Sequence, residues 1–333
     1  MDPIITLDYG SGGKKTAALI DDLILPLLGN GALNDLPDAA AVPGAESLVF
    51  STDSFVVSPC FFPGGDIGKL AVCGTVNDVC VSGGEPKYLS LGLILEEGFP
   101  TADLERILRS IRDTANRVGV QVVTGDTKVV ERGRGDGIYI NTSGIGYLRT
   151  PGLSERNLCP GDKVLLSGTA GDHGAAVMLA RNANLVEGEL KSDCAPLHEL
   201  CAALGTLGER LRVMRDPTRG GVATTLCEFA EGANVCIELD EEAIPVAPGV
   251  ESACDILGLD PLYCACEGKL LAFVAPEAEE NALRLLHAFP EGREAAVIGE
   301  VTAAHPGRVL LRTAVGGTRV MTRLTGAQLP RIC

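Results

Sequence analysis

The sequence predicts an α/β protein of two domains followed by a short tail. Its 333 residues, 46% of them hydrophobic, are enough for two domains with a core each, and one domain of this length would be unusually large. The 41 glycines and the absence of tryptophan are typical of an α/β protein whose loops approach ligands closely. Strand and helix patterns restart after a Pro- and Gly-containing stretch at 151–161. We therefore place the domains at 1–152 and 153–322, with a flexible tail at 323–333.

Charge and hydropathy exclude several classes of protein. The chain has 28 basic and 44 acidic residues, and the net charge of −16 disfavours nucleic acid and anionic membrane as partners. The N-terminus lacks the basic and apolar regions of a signal peptide, and no run of about 18 apolar residues occurs. We expect a cytoplasmic protein that binds neither nucleic acid nor membrane.

The twelve cysteines do not form a metal-binding pattern. They are scattered through apolar stretches as small buried hydrophobic residues, and no CxxC pair occurs. The closest two, Cys264 and Cys266, are separated by one residue in a segment expected to be a strand. A zinc or iron–sulfur site built from internal cysteines is therefore disfavoured.

The first element is a Gly- and Ser-rich loop at 9–16 that precedes a helical pattern. It contains Gly12, Gly13 and Lys14 and has the composition of a phosphate-binding loop. It lacks the GxxxxGK[ST] spacing, and no strong strand precedes it. Phosphate binding and a plain N-terminal loop both remain open.

The rest of the first domain alternates strands and helices. After a connector at 34–46, a strand delivers Asp53, and Asp66 is placed to cap a helix that runs to about Gly83. Asn77 and Asp78 interrupt the apolar stripe of that helix and need polar partners. The remaining elements are a strand at 88–95, a helix ending at Gly119, a strand at 121–124 with a loop at 125–128, and a strand at 138–146.

The second domain repeats the alternation. The helix that follows the polar turn at 215–222 places Asp216 just ahead of it. The predicted strands are 163–167, 235–239, 269–274 and 295–301. One helix is predicted to follow the turn at 168–174, and three more are predicted at 196–211, 223–231 and 277–288. A predicted hairpin joins 308–312 to 319–322 across Gly316 and Gly317.

Five aspartates lie at the ends or starts of elements, beside Gly, Ser, Thr or Asn. Carboxylates in such loops suit Mg²⁺, which takes oxygen ligands and stays bound to substrate phosphates. Each one alone is better explained as a helix cap or turn residue. Together they favour a nucleotide–Mg²⁺ site formed by Asp53, Asp66, Asp78, Asp126 and Asp216.

Glu267, Lys128 and Cys333 are further candidates. Glu267 precedes an apolar strand, where desolvation would raise its pKa toward that of a general acid or base. Lys128 follows Asp126 and is placed to pair with it, and a strand-end salt bridge is the alternative for both Lys128 and Glu267. Cys333 is the last residue, and its thiol lies on a tail whose eleven residues extend to about 36–40 Å. An incidental terminal cysteine is the alternative.

The combination resembles the HypE family of hydrogenase maturation proteins, the carbamoyl dehydratases. This family belongs to the ATP-binding superfamily of aminoimidazole ribonucleotide synthetase and selenophosphate synthetase. The aspartate motifs are typical of the superfamily, and the closing Pro-Arg-Ile-Cys is close to diagnostic of the HypE family. The matching segments are 10–14, 51–54, 65–68, 77–78, 125–128, 216–221, 266–269 and 330–333.

The resemblance implies a fold and an activity. The fold is that of aminoimidazole ribonucleotide synthetase, in which the N-terminal sheets of a homodimer form a barrel and ATP binds beside an α/β C-terminal domain. A carbamoyltransferase, HypF, would load Cys333 with a carbamoyl group, and ATP would drive its dehydration to a thiocyanate. The HypC–HypD complex would accept the cyano group on iron.

The resemblance also assigns roles to residues. Asp53, Asp66, Asp78 and Asp216 would bind Mg²⁺–ATP, with Asp53, Asp78 and Asp216 on the metal. Lys14 would contact phosphate in the Gly12–Gly13 loop, and Lys128 and Glu267 would lie near the incoming thiol, with Glu267 as the proposed base. The nucleotide site would also include Asn77 and Asp126.

Two alternatives remain open at this stage. Another ATP-dependent synthetase of the superfamily would share the aspartate motifs, although Gly12 and Gly13 occupy the loop where selenophosphate synthetase carries Cys or selenocysteine. The second alternative is a thiol carrier scaffold with no ATP turnover. Phosphate release in the presence of a carbamoyl donor would separate an enzyme from a scaffold.

Overall fold

The computed structural model describes residues 1–36, 39–181, 190–324 and 326. The helices are α1 (Lys14–Leu19), α2 (Leu25–Leu28), α3 (Ile67–Val81), α4 (Thr101–Val118), α5 (Asp172–Arg181), α6 (His198–Gly205), α7 (Gly221–Ala233), α8 (Pro248–Leu257) and α9 (Glu279–His287). The strands are β1 (Leu48–Phe55), β2 (Phe61–Phe62), β3 (Gly65–Asp66), β4 (Gly84–Glu96), β5 (Gln121–Val130), β6 (Ile138–Leu148), β7 (Lys163–Leu166), β8 (Leu211–Arg215), β9 (Cys236–Asp240), β10 (Leu271–Val274), β11 (Ala296–Thr302), β12 (Arg308–Arg312) and β13 (Thr318–Met321).

A four-stranded sheet in the order β1-β6-β4-β5 forms the first half of the chain. Helix α3 packs on its inner face, where Phe55 is so close to Gly74 that a Cβ there would lie 2.8 Å from the Phe55 ring. Asp66 caps α3 as predicted, because its Oδ1 accepts from the backbone N–H groups of Gly68 and Lys69. Helix α4 ends at Gly119, which has a φ of 78°.

The outer face of this sheet carries exposed apolar side chains. Alternation along β1 turns Leu48 and Phe50 outward, and these two are 52% and 67% exposed. The barrel that was predicted on this face needs a second copy of the chain. It therefore stays a prediction for the single chain described here.

A seven-stranded sheet in the order β13-β12-β9-β11-β7-β10-β8 forms the second half. Helix α7 packs on one face, and α6 and α9 pack on the other. One apolar cluster joins side chains of α3, such as Leu70 and Cys80, with Leu204 of α6, and so continues across the junction of the two domains. A further cluster, which includes Ile237 and Phe273, lies within the second domain alone, so the core expected for that domain is present, while the other core is shared between the two domains.

Four local predictions differ from the structure. Strand β5 continues through 125–128, which was predicted as a loop, because β4 pairs with it as far as Val130. The predicted helix at 196–211 ends at Gly205, and β8 begins at Leu211. Helix α8 was not predicted. Residues 264–266 are not a strand: Cys264 faces Cys254, and the Cys266 thiol accepts from the N–H of Gly171.

The other predicted helices and strands are present, with ends shifted by a few residues, as is the hairpin of β12 and β13. In the described ranges, no helix combines the length and the apolar character that crossing a membrane requires.

Candidate active site between the two domains

Four carboxylates from distant parts of the chain gather where the two sheets adjoin. Asp53 is on β1, Asp78 is in the last turn of α3, Asp216 follows β8, and Glu267 precedes β10. Their charges are close enough that each of the last three has its pKa raised by at least one of the others. The structure thus brings together four of the residues singled out in the sequence.

Asp78 is anchored by Ser51, which lies two residues from Asp53 on the same face of β1. The Ser51 hydroxyl donates to Asp78 Oδ2 at 2.7 Å. Burial raises the pKa of the Asp78 carboxyl, and the charge of Asp53 raises it further, against the lowering effect of the Ser51 hydrogen bond. Ser51 was not singled out as a site residue, although its place in the Ser51–Ser54 motif was a usable signal.

Asp216 is only 7% exposed. Burial, followed by the negative charge of Asp78, raises the pKa of Asp216 to about 7. A carboxyl with this pKa is costly to ionise without a cation. The site is therefore short of positive charge at neutral pH.

Glu267 is the most deeply buried of the four, at 2% exposure, and its Oε1 has no hydrogen-bond partner among the residues that the structure describes. Burial raises the pKa of Glu267 well above its usual value, and the charges of Asp216 and Asp193 add to the effect. The predicted rise through desolvation is confirmed. No ion pair joins Glu267 to any described residue, so the strand-end salt bridge is wrong for it.

Asn77 lies in the junction as a structural residue. Its side-chain amide donates to the carbonyl oxygens of Ala195 at 3.1 Å and Glu267 at 3.4 Å, and its Oδ1 accepts from the N–H of Leu197 at 2.8 Å. Both ends of this buried amide are already used by the backbone, and the nucleotide contact of Asn77 stays a prediction. Asn77 fastens α3 to the second domain.

Asp66 has one carboxylate oxygen committed to the N-terminus of α3. Its side chain is buried, and the hydrogen bonds it accepts are the ones expected of a helix cap. A nucleotide or metal contact would have to use its second oxygen. That role stays a prediction.

Asp126 and Lys128 lie away from this group. Both are exposed on β5, and Lys128 Nζ contacts the Asp126 carboxylate at 2.8 Å, which confirms the predicted pair. The hydrogen bond from Lys128 lowers the pKa of Asp126. Strands β1 and β5 are at opposite edges of the sheet, about 14 Å apart. That both Lys128 and Glu267 lie near the incoming thiol stays a prediction.

The loop with Gly12, Gly13 and Lys14 stands beside β5. Gly10 approaches this strand so closely that a Cβ would lie 2.7 Å from the Val129 nitrogen. Gly12, Gly13 and Lys14 are exposed at the start of α1, and the Gly12 N–H donates to Thr16. Its phosphate contact stays a prediction.

The carboxylate group suits a divalent cation that arrives with other ligands. Among the described residues, no three acidic, His or Cys side chains are arranged to bind a metal ion alone. The predicted three-aspartate metal site of Asp53, Asp78 and Asp216 is therefore not preformed. The carboxylate oxygens of these three residues and the raised pKa values of Asp78 and Asp216 do fit Mg²⁺, which commonly binds through one or two carboxylates together with substrate phosphates.

Cys333 lies outside the described residues, as do most residues of the predicted tail. The described cysteines are all free thiols, and most are buried. Burial raises the pKa of Cys266 and Cys201 well above the usual value, which makes both poor nucleophiles.

Two consecutive α/β domains with carboxylates at their junction define the class of protein. The AIR synthase related protein, N-terminal domain, matches residues 36–148, and the AIR synthase related protein, C-terminal domain, matches residues 159–312. A carbamoyl dehydratase HypE from Bradyrhizobium diazoefficiens is 50% identical over 99% of this chain and 96% of its own length. The chain belongs to the HypE family of carbamoyl dehydratases within the AIR synthase related proteins.

Solved structures agree with this family. A hydrogenase maturation protein HypE in complex with ATP has a TM-score of 0.95 at 46% identity, over 98% of this chain and 99% of that one. A chain of a HypE–HypF complex has a TM-score of 0.81 at 46% identity, over 92% of this chain and all of that one. The predicted family and fold are confirmed.

Proposed function

We propose that this protein is an ATP-dependent carbamoyl dehydratase that converts a carbamoyl group on the Cys333 thiol into a thiocyanate. The observation that carries this proposal is the buried Glu267 carboxyl with a free Oε1, placed among acidic residues in a chain of the HypE family. A base with a raised pKa accepts a proton efficiently near neutral pH.

The dehydration proceeds in two steps. The thiocarboxamide oxygen attacks the γ-phosphorus of ATP, ADP leaves, and the nitrogen loses one proton, which gives an O-phosphate with a C=NH bond. Phosphate then departs with the electrons of the C–O bond, and loss of the second N–H proton forms the C≡N bond. Glu267 removes a proton from nitrogen, and the covalent link to sulfur retains the product.

Mg²⁺, when bound with ATP, supplies positive charge against the transferring phosphoryl group. Asp53, Asp78 and Asp216 are the residues that would hold it. The raised pKa values of Asp78 and Asp216 support this role, because a nearby cation relieves the repulsion that causes them. Lys14 would contact the phosphates.

We also propose a homodimer in which the outer faces of two four-stranded sheets form a barrel. The exposure of Leu48 and Phe50 supports it, because exposed large apolar residues on a sheet face favour association. Asp126 and Lys128 lie on that same outer face, paired in register with Gly92 and Ile94 of β4. Their contribution to the site would then depend on the second copy.

The proposed partners follow from the family. HypF would transfer the carbamoyl group to Cys333, as the complex of a related HypE with HypF supports. The HypC–HypD complex would accept the cyano group. The net charge of −16 makes nucleic acid an improbable partner, and the reaction is proposed for the cytoplasm.

Intact-protein mass spectrometry with HypF, carbamoyl phosphate, ATP and Mg²⁺ tests the function. We expect the terminal peptide to gain a carbamoyl group and then lose one water, with one phosphate released from ATP for each conversion. A Cys333→Ser variant should show neither change. A carbamoyl adduct that never loses water in the presence of ATP would instead identify a carrier scaffold.

A further inference from the structure

A second buried carboxylate, Asp193, holds the loop that contains Glu267. Asp193 Oδ1 accepts from the backbone N–H of Glu267 at 3.1 Å, and its Oδ2 accepts from the N–H of Gly268 at 3.2 Å. The Asp193 side chain is only 2% exposed. Both oxygens of this buried carboxylate therefore accept hydrogen bonds from two consecutive backbone amides.

The two segments are in unusually close contact at this point. A Cβ on Gly268 would lie 1.9 Å from the carbonyl oxygen of Asp193, so only glycine fits there. The N–H of Ala195 donates to the carbonyl oxygen of Glu267, and the Asn77 amide donates to the same oxygen. The N–H and the C=O of Glu267 are thus both bound, while its Oε1 is free.

Lys269 offsets the charge of Asp193. Its Nζ is 3.9 Å from carboxylate oxygens of both Asp193 and Asp172, and its side chain is 13% exposed. Asp172 in turn accepts a hydrogen bond from Thr169. Within the described part of the chain, the partners of Asp193 are therefore a cation and two amides, and none of them belongs to the group of Asp53, Asp78 and Asp216.

We infer that Asp193 is a positioning residue for the dehydration, which fixes the Glu267 carboxyl where it meets the N–H of the thiocarboxamide. This inference rests on the proposed function, in which Glu267 removes that proton. Proton removal requires the carboxyl within hydrogen-bond distance of nitrogen, and a displacement of about 1 Å costs up to about 100-fold in rate. Asp193 acts through the backbone and does not touch the substrate.

Asp193→Asn is the test, because it preserves volume but replaces one acceptor with an N–H₂ group that opposes a backbone N–H. We expect kcat for thiocyanate formation to fall about 10- to 100-fold, with the KM for ATP unchanged. Asp113→Asn on the exposed surface of α4 is the matched control and should leave kcat unchanged. If the Asn variant does not fold, Asp193→Ser, which keeps a single acceptor oxygen, is measured in its place.

Hydrogen–deuterium exchange gives a second measurement that needs no activity. The amides of Glu267 and Gly268 should exchange faster in Asp193→Asn, while those of β4 and β6 keep their protection. An unchanged kcat, or a loss of kcat with an equal loss of ATP affinity and of protection throughout the chain, would overturn the inference. A wild-type protein that forms no thiocyanate would refute the proposed function instead, and faster exchange at these two amides would then still assign Asp193 as the residue that holds the loop.

Discussion

Ser51 donates a 2.7 Å hydrogen bond to Asp78 and so connects the edge strand β1 to the last turn of α3. The two residues are far apart in the chain, and the bond orients one oxygen of a carboxyl whose pKa is raised by burial and by Asp53. A hydroxyl donor favours the ionised form of Asp78, which is the form that binds a cation.

Ser51→Ala should therefore weaken the binding of Mg²⁺–ATP and lower the free energy of unfolding by about 1 kcal/mol. Isothermal titration calorimetry and urea denaturation measure the two effects. Ser252→Ala removes a hydroxyl that bonds to the carbonyl of Pro248 on the surface of α8, so it should leave nucleotide affinity unchanged. Equal affinity in the wild type and Ser51→Ala would contradict the role given to this bond.

Glu267→Gln should slow thiocyanate formation about 10²- to 10⁴-fold, because an amide cannot accept the proton. Loading of the carbamoyl group onto Cys333 should continue, since that step needs no base at this position. The mass of the terminal peptide followed over time distinguishes the two steps. Glu280→Gln, on the exposed side of α9, is the control and should behave as the wild type does.

Asn77→Ala should lower the free energy of unfolding by about 3 kcal/mol, because it leaves the buried N–H of Leu197 and the carbonyls of Ala195 and Glu267 without this partner. Thermal or urea denaturation measures the change. Asn116→Ala, in the exposed part of α4, should alter stability by less than about 0.5 kcal/mol. A small effect at Asn77 would contradict its role in fastening α3 to the second domain.

The stability of the protein should depend on pH through Asp172. Burial, followed by the charge of Asp193, raises the pKa of Asp172 to about 6 from the usual 3.8. A carboxyl with a raised pKa binds its proton more tightly in the folded state. Its contribution is therefore fully present below about pH 4 and is lost as the pH rises through about 6, by about 3 kcal/mol in total.

Asp172→Asn should remove this pH dependence. The difference in free energy of unfolding between Asp172→Asn and the wild type should change in favour of the variant by about 2 kcal/mol between pH 4 and pH 6. Urea denaturation at several pH values measures this difference, and Asp255→Asn at an exposed position of α8 is the control. A constant difference over this range would show that Asp172 ionises normally.

Phe50→Glu should separate the proposed homodimer, because it places a charge on the outer face of the sheet where 67% of Phe50 is exposed. Light scattering after size-exclusion chromatography measures the mass of the particle. Val315→Glu, in the turn between β12 and β13 and 94% exposed, is the control and should leave the mass unchanged. A wild-type protein that is monomeric at working concentration would refute the dimer.

Local structure was predictable where a short pattern suffices. The Asp66 cap, the glycine at the end of α4 and the hairpin of β12 and β13 depend on a few adjacent residues, and all three are present. The extent of β5 was not predictable, because Gly125, Asp126 and Lys128 have residue types that are typical of a loop. They form a strand because β4 pairs with them. Pairing with a distant strand outweighs weak local strand propensity.

The sequence by itself determined the family, the chemical types of the site residues and the burial of the segment around Glu267. Only the tertiary structure decided which of those residues meet. It grouped Asp53, Asp78, Asp216 and Glu267, placed Asp126 and Lys128 at the opposite edge of the sheet, and gave Asn77 a structural role. The physical reason is that pKa values and hydrogen bonds depend on distances of a few ångströms between residues far apart in the chain, and only the packing of the two sheets sets those distances.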